Sequence, residues 1–360
     1  MKTRVMIILV ILLAAFTKLY FASAYFGNFD QESYEIVVNV IKNGGNIYAE
    51  TQRYNYTPVW SFVLIFLDST AQVLNVPFHT AVRGFLTLVD VVNTIFIGLI
   101  AAKLRPGYSL HSIISYSLNP VPLLIVGYHG QFDCLASLPM LVAVYILVSR
   151  PTPPRNLIWV LGTIALLIKH ITFFGVWVLF AQTVHNNKKA ILMLIASVIV
   201  FLLTFVPYVS TGWHGILQNV FLYKGLSGYY GLSLFLPRIA NYVLFSVVMV
   251  TLPLLAKNLD KKLTTRSIEL SFASFLSTVP GIGEQYFLLP IIWGSISPTR
   301  WYWVYSIFTT LFLIASPSNI HLLNISLIGQ VVLWNFVWTC ALIWFIGLSR
   351  KLFFGIKGME

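Results

Sequence analysis

Apolar stretches separated by short polar breaks run from the first residues of the chain to the last. Val5 opens the first, and residues 58–67, 84–101, 110–126 and 157–184 form others. Crossing roughly 30 Å of hydrocarbon takes about 20 apolar residues as a helix, and such runs recur along the chain. No polar stretch between them is large enough to bury a core of its own. The pattern predicts one all-α, polytopic membrane domain over residues 1–360, with about 10–12 transmembrane helices, some of them short. Lys2, Arg4, the apolar run from Val5 and Ala22-Ser23-Ala24 also have the layout of a signal peptide. We read this segment as the first span, which delivers the following loop to the same side.

One segment has a different period. Between Asn28 and Tyr48, the residues Tyr34, Val37, Val38 and Ile41 recur at i, i+3, i+4 and i+7, with Glu32, Glu35, Asn39 and Lys42 on the other side. That is a short amphipathic helix lying on the membrane surface. Asp30 stands at its start and Gly44-Gly45 at its end, where helix start and stop signals belong. The pattern alone leaves Asp30 open between an N-cap and a catalytic base.

Composition agrees with a membrane chain: 58% of residues are hydrophobic, 9% are charged, and the mean hydropathy is +0.82. Soluble domains carry about 25% charged residues. Cys134 and Cys340 both lie in apolar segments, which argues against a disulfide framework. The net charge of +12 raises nucleic acid as a partner, but the position of the basic residues decides otherwise. Sixteen of the 23 lie in short breaks: Lys2, Arg4, Lys103, Arg105, Arg150, Arg155, Lys188, Lys189, Lys257, Lys261, Lys262, Arg266, Arg300, Arg350, Lys351 and Lys357. The positive-inside rule makes those breaks and both termini cytoplasmic, so the charge encodes topology.

The remaining connections carry the acids Asp30, Glu32, Glu35, Glu50, Asp68, Asp133 and Glu284 and read as outer. Residues 25–57 and 127–133 are both outer, yet three apolar runs separate them, so one does not span. Pro58–Leu67, ten residues before Asp68, is too short and predicts an interfacial or re-entrant helix. The first outer loop then extends over residues 25–83.

Three polar features interrupt this frame. Tyr54-Asn55-Tyr56-Thr57-Pro58-Val59-Trp60 is an aromatic entry into the interface. Gly127-Tyr128-His129-Gly130-Gln131-Phe132-Asp133 packs two glycines, an imidazole, an amide and a carboxylate between apolar helices. It is either a tight polar turn in water or a second polar wall of a site. His129 and Asp133 have a helical metal-ligand spacing, but Gly130 weakens that helix and no third ligand is nearby. Lys169-His170 breaks the apolar run 157–184, too long for a simple span, into two short helices meeting near the outer side. A lysine at that depth faces a cavity or snorkels from a helix end. Arg238 and Lys224 are further outward cations.

These stretches together resemble the C-type (GT-C) glycosyltransferases. They look closest to the polyprenyl-phosphate-mannose transferases of bacteria and archaea, with similarity to the dolichol-linked glucosyltransferases of asparagine-linked glycosylation. Asp30 to Tyr34, Gly44-Gly45-Asn46-Ile47-Tyr48 and Tyr54 to Trp60 resemble the family's first outer loop, with Thr57-Pro58 in place of its usual Pro-Pro. His129 to Asp133 resembles its short polar turn, where Asp133 departs from the usual residue. Leu166 to Phe174 resembles its lysine-containing helix pair. The resemblance covers residues 1–185, the half that carries the shared motifs in such enzymes; residues 186–360 match weakly.

The resemblance implies a GT-C fold and transfer of a hexose, mannose or glucose, from a polyprenyl- or dolichyl-phosphate donor to a glycan or glycolipid acceptor. A single aspartate base implies inversion. It implies Asp30 as the catalytic base, with Glu32 and Asp133 in reserve, and Lys169, His170 and Arg238 at the donor phosphate. Tyr34, Tyr56, His129, Gln131, Asp133 and Glu284 are the implied substrate-binding residues. No organic cofactor and no metal ligand set is expected, and the divalent-ion requirement is open. The membrane and the two lipid- or glycan-linked substrates are the expected partners, and nucleic acid is not. The plasma membrane is the expected location, or the endoplasmic reticulum in a eukaryote. A secondary transporter, or a flippase or ligase of lipid-linked saccharides, is the rival reading. Asn55-Tyr56-Thr57 and Asn324-Ile325-Ser326 are sequons that decide nothing.

Overall fold

The computed structural model describes residues 2–223, 225–228, 230–316 and 325–355. Lys224, Asn324 and Lys357, named above, lie outside the described residues.

Among the described residues the regular structure is helical, apart from one antiparallel pair of two-residue strands, Leu226–Ser227 with Gly281–Ile282. Helix α1 spans Lys2–Ala24, the surface helix α2 Phe29–Lys42, α3 Pro58–Leu74 and α4 Phe78–Leu104. After α5 (Ser109–Ser117), residues Leu123–His129 form a π-helical segment. Then come α6 (Asp133–Ser149), α7 (Arg155–Ile168), α8 (Phe173–Val184) and α9 (Asn187–Leu203). The last third holds α10 (Arg238–Ala256), α11 (Thr264–Thr278), α12 (Arg300–Ala315) and α13 (Leu327–Phe354). Neighbouring helices pack in sequence order, α4 on α1, α3 and α6, α6 on α7, and α8 on α9, while α11 is the hub against which α8, α10 and α13 lie.

Among the described residues, five helices are long and apolar enough to cross a membrane: α1, α4, the path Asn187–Phe221, α10 and α13. A sixth counts if Ser109–Ser117 and Pro120–His129, bent by 47°, form one span. This supports a polytopic membrane protein. The ten to twelve spans expected from apolar runs include segments that the chain cuts short: α3, α6, α7 and α8 are apolar but have 17 residues or fewer. Polar breaks at Leu118-Asn119 and Lys169-His170 interrupt helices there.

Ion pairs and hydrogen bonds sort the connections into two ends. At one end Lys261 Nζ donates to the carbonyls of Arg150 and Pro151, His185 Nδ1 lies 2.7 Å from the Lys257 carbonyl, and Arg266 donates to the Ser297 carbonyl. Four of the basic breaks therefore meet. The other end gathers the surface helix, residues 127–133 and the break at Lys169. Lys42 at the end of α2 pairs with Asp68, which holds α3 alongside the surface helix. The helix α3 begins at Pro58 as expected but continues through Asp68, whose charge Lys42 pairs, to Leu74.

Candidate functional site

The surface helix begins two residues earlier than its pattern predicts. Asn28 is its N-cap, with Oδ1 accepting from the Asp30 amide at 3.2 Å, so Asp30 is inside the first turn and is not the cap. Capping by Asn28 leaves the Asp30 carboxylate available. Its negative charge is also favoured there by the helix dipole. Tyr34, Val37 and Val38 are buried on one face, with Glu32, Asn39 and Lys42 exposed on the other. Ser33 and Gln31 are also buried.

Gln31 ties this helix to the polar turn, donating from Nε2 to the carbonyls of His129 (3.1 Å) and Gly130 (3.4 Å). Gly130 has φ +72°, and a Cβ there would overlap the Gln31 amide and approach Arg83. The fully buried Arg83 binds the carbonyls of Phe21, Ala22, Tyr25, His79 and Tyr128. Two of these end α1, so the guanidinium both satisfies orphan carbonyls and opposes the negative pole of that helix.

His129 Nε2 lies 2.7 Å from Asp30 Oδ2, and Asn28 Nδ2 donates to the same oxygen at 3.3 Å. His129 is buried while the Asp30 side chain is 27% exposed, so the pair has one face toward an incoming group. Enclosure by neighbours works to raise the Asp30 pKa. Hydrogen bonding and charge from His129, the nearby Gln131 amide and the charge of Lys169 outweigh it, holding the carboxyl below its ordinary value. Asp30 is therefore ionised at neutral pH.

Lys169 lies in extended backbone, φ −150°, between α7 and α8. Thr57 of the aromatic entry donates to the Leu167 carbonyl, one of the acceptors that the break leaves without a helical partner. Lys169 Nζ, 1% exposed, donates to Asp133 Oδ2 at 2.6 Å and Gln131 Oε1 at 3.2 Å. The lysine is buried and paired with Asp133, so it does not snorkel from a helix end. Rings surround it, with centroids of Phe132, Tyr56 and Tyr286 at 4.6, 5.4 and 5.8 Å. Phe132 itself stacks on Trp60 at 4.1 Å, and Tyr34 meets Trp60 edge-on at 5.4 Å. The aromatic entry, the polar turn and the lysine break thus build one site.

Beside it opens an apolar groove of about 410 Å³, lined by His170, Phe174, Phe201, Tyr223, Phe275 and Tyr286 among others. Tyr286 joins the two, touching the groove and facing Lys169. Two predicted residues stay apart from the cluster. Arg238 is exposed in a small neighbouring cavity with Tyr242, whose other side lines the groove. Glu284 accepts from Ser316 at 2.7 Å. Glu32, the first reserve base, is exposed and paired with Arg53 at 2.7 Å, and Asp133, the second, is held by Lys169. His129 and Asp133 face different partners and do not converge, and no group of three potential metal ligands occurs among the described residues.

Sequence reasoning missed Gln31 and a second ionic cluster, Lys18 with Asp90 and Tyr116, buried between α1, α4 and α5. The signal was present: Lys18 and Asp90 are charges inside apolar helices, where partners are expected. Gly127 packs on that cluster, since a Cβ there would lie 2.8 Å from Lys18 Cα. Comparison with models of protein families finds no match, and comparison with curated proteins finds none.

Proposed function

We propose that this protein is an integral membrane glycosyltransferase of the GT-C kind, in which residues 1–185 carry the catalytic machinery. It transfers a hexose from a polyprenyl- or dolichyl-phosphate donor to a glycan or glycolipid acceptor, with inversion. One observation carries the reading: an ionised, partly exposed carboxylate and a buried ammonium lie together beside an apolar groove. A lipid-phosphate sugar presents a matching sequence of hydrocarbon, anion and electrophilic carbon.

In this mechanism Asp30 accepts the proton of the acceptor hydroxyl as its oxygen bonds to the anomeric carbon. The bond from that carbon to the phosphate oxygen breaks, and the lipid phosphate leaves with the electron pair. General-base assistance of this kind contributes about 100-fold to 10,000-fold. His129 orients the carboxylate through its Nε2 contact. Lys169 exchanges its Asp133 partner for the leaving phosphate and stabilises the charge growing there, as its ring-lined enclosure strengthens electrostatic effects. His170, lining the groove one residue on, is suited to the same anion. Tyr34, Tyr56 and Gln131 shape the sugar pocket around these groups, and Arg238 meets the donor further along the rim.

The test is Asp30→Asn. The amide keeps the shape, and Asn28 still caps the helix. Transfer of a labelled sugar from polyprenyl phosphate in nanodiscs should fall at least about 100-fold, with donor binding retained. Near-normal turnover with an unchanged melting temperature would remove Asp30 as base. Substrate moving between vesicle compartments without covalent transfer would favour the transporter reading, for which the broken helices at Lys169 and Leu118 are the supporting feature.

A further inference from the structure

The basic end carries a cavity that the transfer chemistry does not use. It measures about 510 Å³ and is lined by Pro154, Arg155, Asn156, Gln182, His185 and Lys261 among others. Among the described residues, no carboxylate lines it. We propose that it binds an organic phosphate whose headgroup carries hydroxyl donors, of the glycerol phosphate type.

Several independent features converge on that ligand. Helix α7 starts at Arg155 with Pro154 before it, and no side chain caps its first turn. Its amide N–H groups and positive pole therefore open beside the cavity, an arrangement that favours a bound anion. Arg155 and Lys261 add two permanent cations, and Arg155 forms no ion pair among the described residues. Lys261 also holds the carbonyls of Arg150 and Pro151, which fixes its ammonium at the cavity wall. Asp260, the nearest acid in sequence, accepts from the Lys262 amide.

Gln182 specifies the remainder of the ligand. Its side chain is fully buried, and Nε2 donates to the Ala256 carbonyl and to Ser267 Oγ, each at 3.1 Å. Oε1 has no hydrogen-bond partner among the described residues. An unpartnered buried acceptor needs a donor. A bare phosphate dianion supplies none, whereas a hydroxyl beside the phosphate does. The volume lies within the range of small-molecule sites, about 300–1,000 Å³. A phosphate attached to lipid and a soluble phosphate ester share this chemistry, and basic pockets at helix ends are suited to lipid headgroups.

The full-length protein in phosphatidylcholine nanodiscs provides the test, with binding read by native mass spectrometry and thermal shift. The probes are phosphatidylglycerol, phosphatidic acid and soluble glycerol 1-phosphate. Phosphatidylglycerol should be retained over phosphatidic acid, and Arg155→Gln should weaken it by at least about fivefold. Arg155→Lys should restore most of the affinity, and Lys189→Gln, at an exposed neighbouring site, should leave it unchanged. Stabilisation by glycerol 1-phosphate that depends equally on Arg155 would assign the same site to a soluble ester. Equal retention by wild type and Arg155→Gln, or an equal loss in Lys189→Gln, overturns the proposal, since the charge would then act as a diffuse surface. Gln182→Leu, which removes the acceptor without changing charge, should erase the preference for phosphatidylglycerol over phosphatidic acid. A preference that persists in a folded Leu variant refutes the hydroxyl assignment.

Discussion

Lys169→Met isolates what the buried ion pair contributes. The ammonium and the Asp133 carboxylate are 2.6 Å apart and essentially unexposed, at 1% and 0%. At an effective dielectric near 20 their gross attraction is about 6 kcal/mol. Removing two ions from water costs several kcal/mol each, so the pair as a whole adds little over an apolar pair. Removing one partner is different, because the desolvation of the other is then uncompensated. We expect Lys169→Met to destabilise the fold by about 3–5 kcal/mol. Methionine fills similar space, so cavity formation is a minor part of that loss. The double variant Lys169→Met/Asp133→Leu should recover most of it, leaving the charge-free pair within about 2 kcal/mol of wild type. Equilibrium unfolding in mixed micelles of a nonionic detergent and dodecyl sulfate measures all four members of the cycle. A single variant as stable as wild type, or a double variant no better than the single, refutes the claim that these charges are held by each other. The cycle also guards the proposed function. Loss of transfer in Lys169→Met is informative only beside a double variant that folds and is still inactive.

Three further outcomes are expected. The acid limb of kcat/KM should lie below the ordinary aspartate range near 4, because Asp30 is held ionised and a base works only above its pKa. His129→Phe removes the hydrogen bond and charge that lower the Asp30 pKa but keeps the enclosure that raises it, so the limb should move to higher pH; an unmoved limb assigns it to another group. Folding follows the same sign: a depressed native pKa adds stability above the unfolded value, lost as pH falls through the native one, and urea midpoints from pH 5 downward should show this in wild type and less in His129→Phe. Cysteines at exposed Gln52 and Lys189 should react with an impermeant reagent from opposite sides of a sealed vesicle, and labelling from one side breaks the two-ended topology.

The helical architecture was legible because hydrophobic period and run length report directly on a membrane solvent. The buried face of the surface helix, Tyr34, Val37 and Val38, came from period alone. Breaking the long run at Lys169 followed from the energetics of a charge in hydrocarbon. What stayed hidden depends on pairing across the chain. Nothing local joins Lys169 to Asp133, or Asp30 to His129 some 99 positions away. The sequence leaves the cap open because Asn28 and Asp30 are both strong N-cap residues and lie two apart, and only backbone geometry separates them: Asn28 is extended, with φ −118° and ψ −172°. Arg83 was read as the end of a loop, although its place inside α4 makes it a clamp on five carbonyls.

The buried ions also bear on which acid can act. Asp90 is held by Lys18 and Tyr116, Asp133 by Lys169, and Glu269 by Arg266 and Trp344, all with the carboxylate fully buried. A fully buried carboxylate held in an ion pair is inaccessible to a hydroxyl, so these pairs hold helices in register and are poor bases. Glu32 has the opposite defect: it is exposed and paired with Arg53. Asp30 combines partial exposure with an ionised state, and its main partner is an imidazole that can rearrange as the proton arrives. His129 and Asn28 both contact Oδ2, which leaves Oδ1 to accept a proton, whereas a bidentate guanidinium engages both oxygens. The same helix that buries Tyr34 against Trp60 sets that carboxylate in its first turn, so packing of the surface helix and placement of the proposed base are one structural event.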